Sequence, residues 1–164
     1  AGLRTVFQED GVITAANSSQ MSDGAAAVLV MSAEKAAELG LTPLARVHTA
    51  VVVGSDPVMM LTGPIPATQK ALERSGLSLD EIGTFEVNEA FAPVVLAWLK
   101  ELGADPARTN PEGGAIALGH PLGGSGARLL TTMIHRMRRE GVRYGLQTMC
   151  EGGGQANATI IEAL

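Results

Sequence analysis

Apolar and polar positions change period several times along the chain, and each change marks an element. Leu129, Leu130, Met133, Ile134 and Met137 recur at i, i+4 and i+8. That double stripe predicts an amphipathic helix over 125–140, with Ser125 as its N-cap and Gly141 as its stop. Residues 25–31 are a short apolar run that reads as a buried strand. Ser32 then caps a helix through Leu39, with Gly40 just past its end. Val47, Val51, Val52 and Val53 predict a strand over 46–54. A Gly/Pro-rich loop runs on to Pro64, and Pro66 suits a first helical turn. Ile65, Ala67, Ala71 and Leu72 share one face of that helix, which Gly76 closes. Residues 84–87 read as a short strand, followed by an apolar helix that starts near Ala90 and runs to Leu102. Residues 115–118 are expected to form another short strand. Residues 144–150 and 156–161 read as two closing strands joined through Gly152, Gly153 and Gly154. Such alternation predicts an α/β fold, a sheet covered by helices.

Composition narrows the class. The chain has 164 residues, 46% hydrophobic and 18% charged, which is enough apolar material for a packed core. Twenty glycines and 3% aromatics suit close helix–sheet packing better than a β-sandwich. The net charge is −5 and no segment carries a basic stripe, so nucleic acid is not an expected partner. Arg136, Arg138 and Arg139 fall near a predicted helix end, where cations favour the helix dipole. No apolar run approaches the ~20 residues of a membrane span, and the opening residues do not resemble a signal peptide. The single cysteine excludes an internal disulfide and a multi-cysteine metal site, and points to a reducing, cytoplasmic setting. The start without Met, inside ordered-looking sequence, suggests a fragment or a processed chain.

Candidate chemistry gathers at three strand ends. In Asn88-Glu89-Ala90-Phe91-Ala92, Pro93 belongs in the first turn of a helix, which leaves Asn88 in the strand-to-helix loop. Loops of this kind bind ligands in open α/β sheets, although an N-cap role for Asn88 explains it equally well. The stretch from Gly113 to Gly126 is dense in glycine. It matches neither G-x-G-x-x-G nor a P-loop, although a phosphate-cradling nest is one reading of it. Its Gly123-Gly124-Ser125-Gly126 nearly matches a serine-hydrolase elbow, but His120-Pro121 and two glycines intervene between the strand and the serine. His120, between Gly119 and Pro121, is the sharper candidate; His48 and His135 read as structural or solvated. Cys150 ends a strand and leads into three glycines whose backbone N–H groups could stabilise an oxyanion. A thiol in such a place is expected to have a lowered pKa and to exchange protons. Together the motifs place an amide, an imidazole and a thiol at successive strand ends.

These motifs resemble the thiolase family. N-E-A-F-A, G-G-A-I-A-x-G-H-P-x-G-x-S-G and C-x-G-G-G stand here in that family's order and approximate spacing. The segment from Asp10-Gly11 to Met31, with Asn17, Asp23 and Gly24, resembles the end of the family's N-terminal domain. Gly124 replaces a commoner alanine. The ending from Met149 to Asn157 resembles degradative, β-oxidation-type thiolases more than biosynthetic ones. The resemblance implies a layered α/β/α fold, the second half of a five-layered architecture with a remnant of the first. Residues 1–42 would end the N-terminal domain and residues 43–164 would form the C-terminal domain. It implies reversible thiolysis of 3-ketoacyl-CoA, with acyl-CoA and coenzyme A as substrates and no permanently bound cofactor or metal. By the same resemblance, His120 activates a nucleophilic cysteine carried by the first half and contributes to an oxyanion hole. Asn88 holds a water that completes that hole, Cys150 moves a proton at the substrate α-carbon, and the Gly152 N–H serves a second hole. Phe91 and Met60 are expected to line the acyl pocket. The resemblance further implies partnership with the missing N-terminal half and a homo-oligomer, a dimer or tetramer. The nucleophile's segment and the insertion that carries most CoA contacts lie outside these residues, so the chain alone is expected to be inactive. A non-catalytic binding or assembly module with the same fold is the competing expectation.

Overall fold

The computed structural model describes residues 2–164. Four strands, β1 (Ala45–Gly54), β2 (Thr84–Val87), β3 (Tyr144–Glu151) and β4 (Gln155–Ala163), form a mixed sheet in the order β1-β4-β3-β2. β1 and β3 run antiparallel to β4, whereas β2 runs parallel to β3. The β2–β3 crossover contains the helices α3 (Ala92–Leu102), α4 (Ala115–Leu118) and α5 (Ser125–Glu140).

One face of the sheet packs on α2 (Pro64–Ser75) and α3. Ala67 and Ala71 of α2 and Trp98 of α3 meet Phe85, Val87, Leu146, Ala158 and Ile160, all fully buried. Trp98 stacks edge-on with Phe85 at 5.2 Å, and its indole N–H donates to Thr68 Oγ1 at 2.9 Å. The other face packs on α5 through Met133, Met137 and Ile161. Consecutive residues Ile160 and Ile161 therefore point into different cores, as the two-residue period of a strand requires. Gly145 lets α5 approach: a Cβ there would stand 2.6 Å from the sulfur of Met137. The layers are thus helix, sheet, helix, an α/β fold as the alternation predicts.

The helix over 125–140 matches its predicted bounds, and so does the strand over 84–87. Three expectations fail. Residues 25–31 form no strand: Leu29 is 80% and Val30 72% exposed, because the described residues hold no neighbouring strand to complete a ladder there. Residues 115–118 are helical turn, not strand, because Glu89 Oε2 accepts the Ile116 N–H at 3.0 Å and satisfies a donor at the start of α4. Ser125 is the first residue of α5 rather than its cap, a position taken by Gly124. α3 begins at Ala92, two residues later than expected, with Phe91 as its extended N-cap. α1 (Ala33–Glu38) follows its Ser32 cap, whose hydroxyl accepts the Lys35 N–H.

The basic cluster has an ionic role as well as a capping position. Arg136 and Arg139 both bind Glu112, in the loop that precedes α4. His48 packs edge-on against Tyr144 at 5.6 Å, a structural use of that ring.

Candidate active site

Parallel pairing brings the carboxyl ends of β2 and β3 side by side. Val87 stands opposite Thr148, and the Asn88 N–H donates to Thr148 O at 3.0 Å. Asn88 is therefore the first residue beyond β2, and Cys150 lies two residues past its neighbour on β3. Asn110, at φ 47°, clamps the strand end from outside. Its side chain accepts the Val87 N–H at 2.8 Å and donates to Val87 O at 2.9 Å.

His120 arrives from the glycine-rich loop. Its backbone N–H donates to Gln20 O at 2.9 Å, and Gly119 adopts φ +90° close against Ser22. The N-terminal segment also holds the Asn88 loop, since the Ser19 N–H donates to Ala90 O at 2.9 Å. Residues 18–22 thus run across both loops and fix one against the other.

The two ring nitrogens of His120 have different partners. Nε2 lies 3.3 Å from Asn88 Nδ2, and Nδ1 lies 2.6 Å from Ser125 Oγ. The Ser125 hydroxyl donates to Pro121 O at 3.0 Å, so its oxygen accepts from Nδ1–H. That assigns the Nδ1–H tautomer and leaves the Nε2 lone pair facing the Asn88 amide, as a general base requires. Burial, with the Arg128 charge adding to it, holds His120 below its ordinary pKa of 6.5, so the ring is neutral at pH 7. Sequence reasoning missed Ser125 as the partner of His120. The near-match to an elbow drew attention to it for the wrong chemistry: fully buried, it cannot meet a substrate.

Cys150, the penultimate residue of β3, is a free, half-buried thiol. Burial pushes its pKa above the ordinary value of 9.0, and the adjacent Glu151 raises it further. This corrects the expected lowering: a desolvated thiol beside a carboxylate stays protonated. Gly152 is exposed in the turn between β3 and β4, with open space where a Cβ would be. Gly153 and Gly154 have φ +78° and +80°, and Ser55 binds Gly154 O through both its N–H and its hydroxyl.

An apolar cavity of about 440 Å³ lies beside this end of the sheet, lined by Phe7, Ile13, Leu61, Phe91 and Val94, among others. Phe91 lines this cavity, edge-on to Phe7 at 5.9 Å. Met60 is not among the lining residues; its neighbours Leu61 and Thr62 are. A more polar hollow, between residues 22–26 and 121–124, adjoins the His120 loop. Among the described residues no helix is long and apolar enough to cross a membrane.

Comparison with known proteins agrees with this geometry. The family model "Thiolase, C-terminal domain" matches residues 41–163, and "Thiolase, N-terminal domain" matches residues 1–34. A steroid 3-ketoacyl-CoA thiolase of Mycobacterium tuberculosis is 62% identical over 164 residues, covering 100% of this chain and 40% of that protein. The crystal structure of the Bacillus anthracis acetyl-CoA acetyltransferase is similar with TM-score 0.97 and 45% identity, over 99% of this chain and 41% of that one. Human mitochondrial 3-ketoacyl-CoA thiolase in complex with CoA is similar with TM-score 0.92 and 43% identity, over 99% of this chain and 41% of that one. The chain spans about 40% of the length of the first of these relatives. With its motifs, its fold and the family match in agreement, the chain belongs to the thiolase family.

Proposed function

We propose that the whole protein containing these residues is an acyl-CoA C-acyltransferase. It would cleave 3-ketoacyl-CoA with coenzyme A and run the reverse Claisen condensation. The observation that carries this reading is the meeting of Asn88 and His120. They come from loops 32 residues apart and approach to 3.3 Å beside the strand end that bears Cys150.

In this reading residues 1–42 end the N-terminal domain and residues 43–164 form the C-terminal domain. The acyl-accepting cysteine is supplied by sequence outside the 164 residues, since Cys150 holds the position of the proton-transfer group. The neutral His120 takes the nucleophile's proton at Nε2. The cysteine sulfur then adds to the 3-keto carbon, and two oxyanion holes, one from His120 with a water on Asn88 and a second with the Gly152 N–H, hold the negative charge that develops on the reacting oxygens. Collapse breaks the Cα–Cβ bond, leaves the acyl group as a thioester and releases the acetyl-CoA enolate. Cys150 protonates that enolate, for which its raised pKa suits it. Coenzyme A gives its thiol proton to the Cys150 thiolate and attacks the thioester; the enzyme cysteine is expelled and takes its proton back from His120, and the shortened acyl-CoA leaves. Phe91 and the apolar cavity receive the acyl chain. Degradative use is supported by the 62% identity to a thiolase named for 3-ketoacyl-CoA.

The test is consumption of acetoacetyl-CoA by the whole protein, with and without free coenzyme A. Coenzyme A-dependent loss with formation of acetyl-CoA is expected. No turnover with any 3-ketoacyl-CoA would leave a non-catalytic thiolase-fold module instead.

A further inference from the structure

Thr84, Glu86 and Asn88 lie on the α5-facing side of β2, opposite the side on which Phe85 and Val87 enter the other core. Gln147 of β3 stands beside Glu86 in register. α5 lays Arg128 and Arg136 over the same surface. Eight buried side-chain atoms lack a protein partner among the described residues, and all belong to these six side chains. They include both Glu86 oxygens, Asn88 Oδ1, Arg128 Nη1 and Nη2, and Gln147 Nε2. Donors face acceptors across one layer. Buried polar groups are almost always hydrogen-bonded, and solvent satisfies complementary groups too far apart to touch.

This layer continues directly into the site. Asn88, the next residue on Glu86's side of β2, touches one ring nitrogen of His120. Ser125, one turn before Arg128 on α5, touches the other. His120 is therefore gripped by two residues whose inward neighbours are Glu86 and Arg128. We propose that Arg128, held by α5 over Glu86 and Gln147, is a positioning residue for His120. The catalytic consequence rests on the thiolase reading; the geometric one does not.

The electrostatics agree. The charged groups facing Glu86 are Arg128 and Arg136 from α5 and Glu112 from the loop before α4, whereas β3 contributes the neutral Gln147. Glu112 already binds Arg136 and Arg139. Arg128 is in no direct ion pair among the described residues, and its positive charge opposes protonation of His120.

The test is a histidine NMR titration of the whole protein, labelled at the ring carbon, with His120→Asn to assign the signal, and a kcat/KM profile against pH on the same samples. Arg128→Met should raise the His120 pKa by about half a unit, because a neighbouring positive charge is lost. The acidic limb of kcat/KM should move up with it, a loss of about threefold on that limb. Arg128→Lys should return both towards wild type. If Arg128→Met fails to fold, the double variant Glu86→Gln, Arg128→Met leaves neither charge buried alone and should show the same upward shift. An unmoved His120 titration in a folded variant overturns the proposal, as does an equal shift in Arg128→Lys. Wild-type protein without thiolysis, but with the titration shift, would sink the thiolase reading and leave the Arg128 role standing.

Discussion

At the scale of single residues, hydrogen-bond direction decides the chemistry. Ser125 fixes the His120 tautomer, so Ser125→Ala should lower kcat/KM for thiolysis by about tenfold, the worth of one hydrogen bond to a reacting group. Asn88→Ala should cost about 10²-fold if it seats an oxyanion donor. Steady-state kinetics on the whole protein check both, and a serine-hydrolase reading would require Ser125→Ala to abolish activity. Glu86 also makes stability depend on pH. Burial pushes its pKa from 4.5 to about 7, against the opposing pull of Arg128 and Arg136. The folded state then binds more protons than the unfolded one between these values. The stabilisation from protonated Glu86 is complete below 4.5 and is lost as pH rises through about 7. The difference amounts to about 3 kcal/mol across that window. Glu86→Gln should flatten the fall in stability between pH 5 and pH 8; denaturant melts that keep the wild-type slope would contradict this. Asn88 and Cys150 were legible as residues near strand ends, and His120 by its place between Gly119 and Pro121 in a glycine-rich loop, although that loop follows the helix α4 and not the expected strand. The roles of Ser125, Asn110 and Arg128 were not, because each depends on a partner distant in sequence or on the far side of a helix.

Among the elements, α5 was readable from periodicity, since Leu129, Met133 and Met137 bury one face, and the strands from their composition and turn signals; β2 is buried at all four positions and shows no period. α4 was not. Its apolar residues fit a short strand equally well, and the Glu89 carboxylate that caps it is 27 residues from Ile116. The run 25–31 has the composition of a strand, but a strand is a pairwise structure and its neighbour is not among the described residues. Within the β3–β4 turn, Gly154 combines φ +80° with a position where a Cβ would stand 2.6 Å from Ser55 O. Gly154→Ala should therefore destabilise by about 2 kcal/mol or more, by left-handed strain together with a backbone clash. It should also disturb the Gly152 turn. Chemical denaturation beside thiolysis kinetics measures both, and an unchanged midpoint would refute the account of this turn.

On the scale of the whole molecule, the segment before α1 exposes apolar side chains in number. Phe7 is 70% exposed and Met21 81%, and both belong to the stretch that crosses or adjoins the site. Together with Leu29 and Val30 they form surface that a larger assembly would cover. Residues 1–164 expressed alone should self-associate, as light scattering after gel filtration would reveal; a monodisperse monomer would count against that reading. The one thiol in the sequence, Cys150, has its pKa raised by burial. The most direct test is acetoacetyl-CoA thiolysis by the whole protein, compared with His120→Ala and Cys150→Ala. The account predicts coenzyme A-dependent turnover in the wild type and a loss of about 10²–10⁴ in each variant with the fold retained. Wild-type rates in either variant, or no turnover by the intact protein, would contradict it.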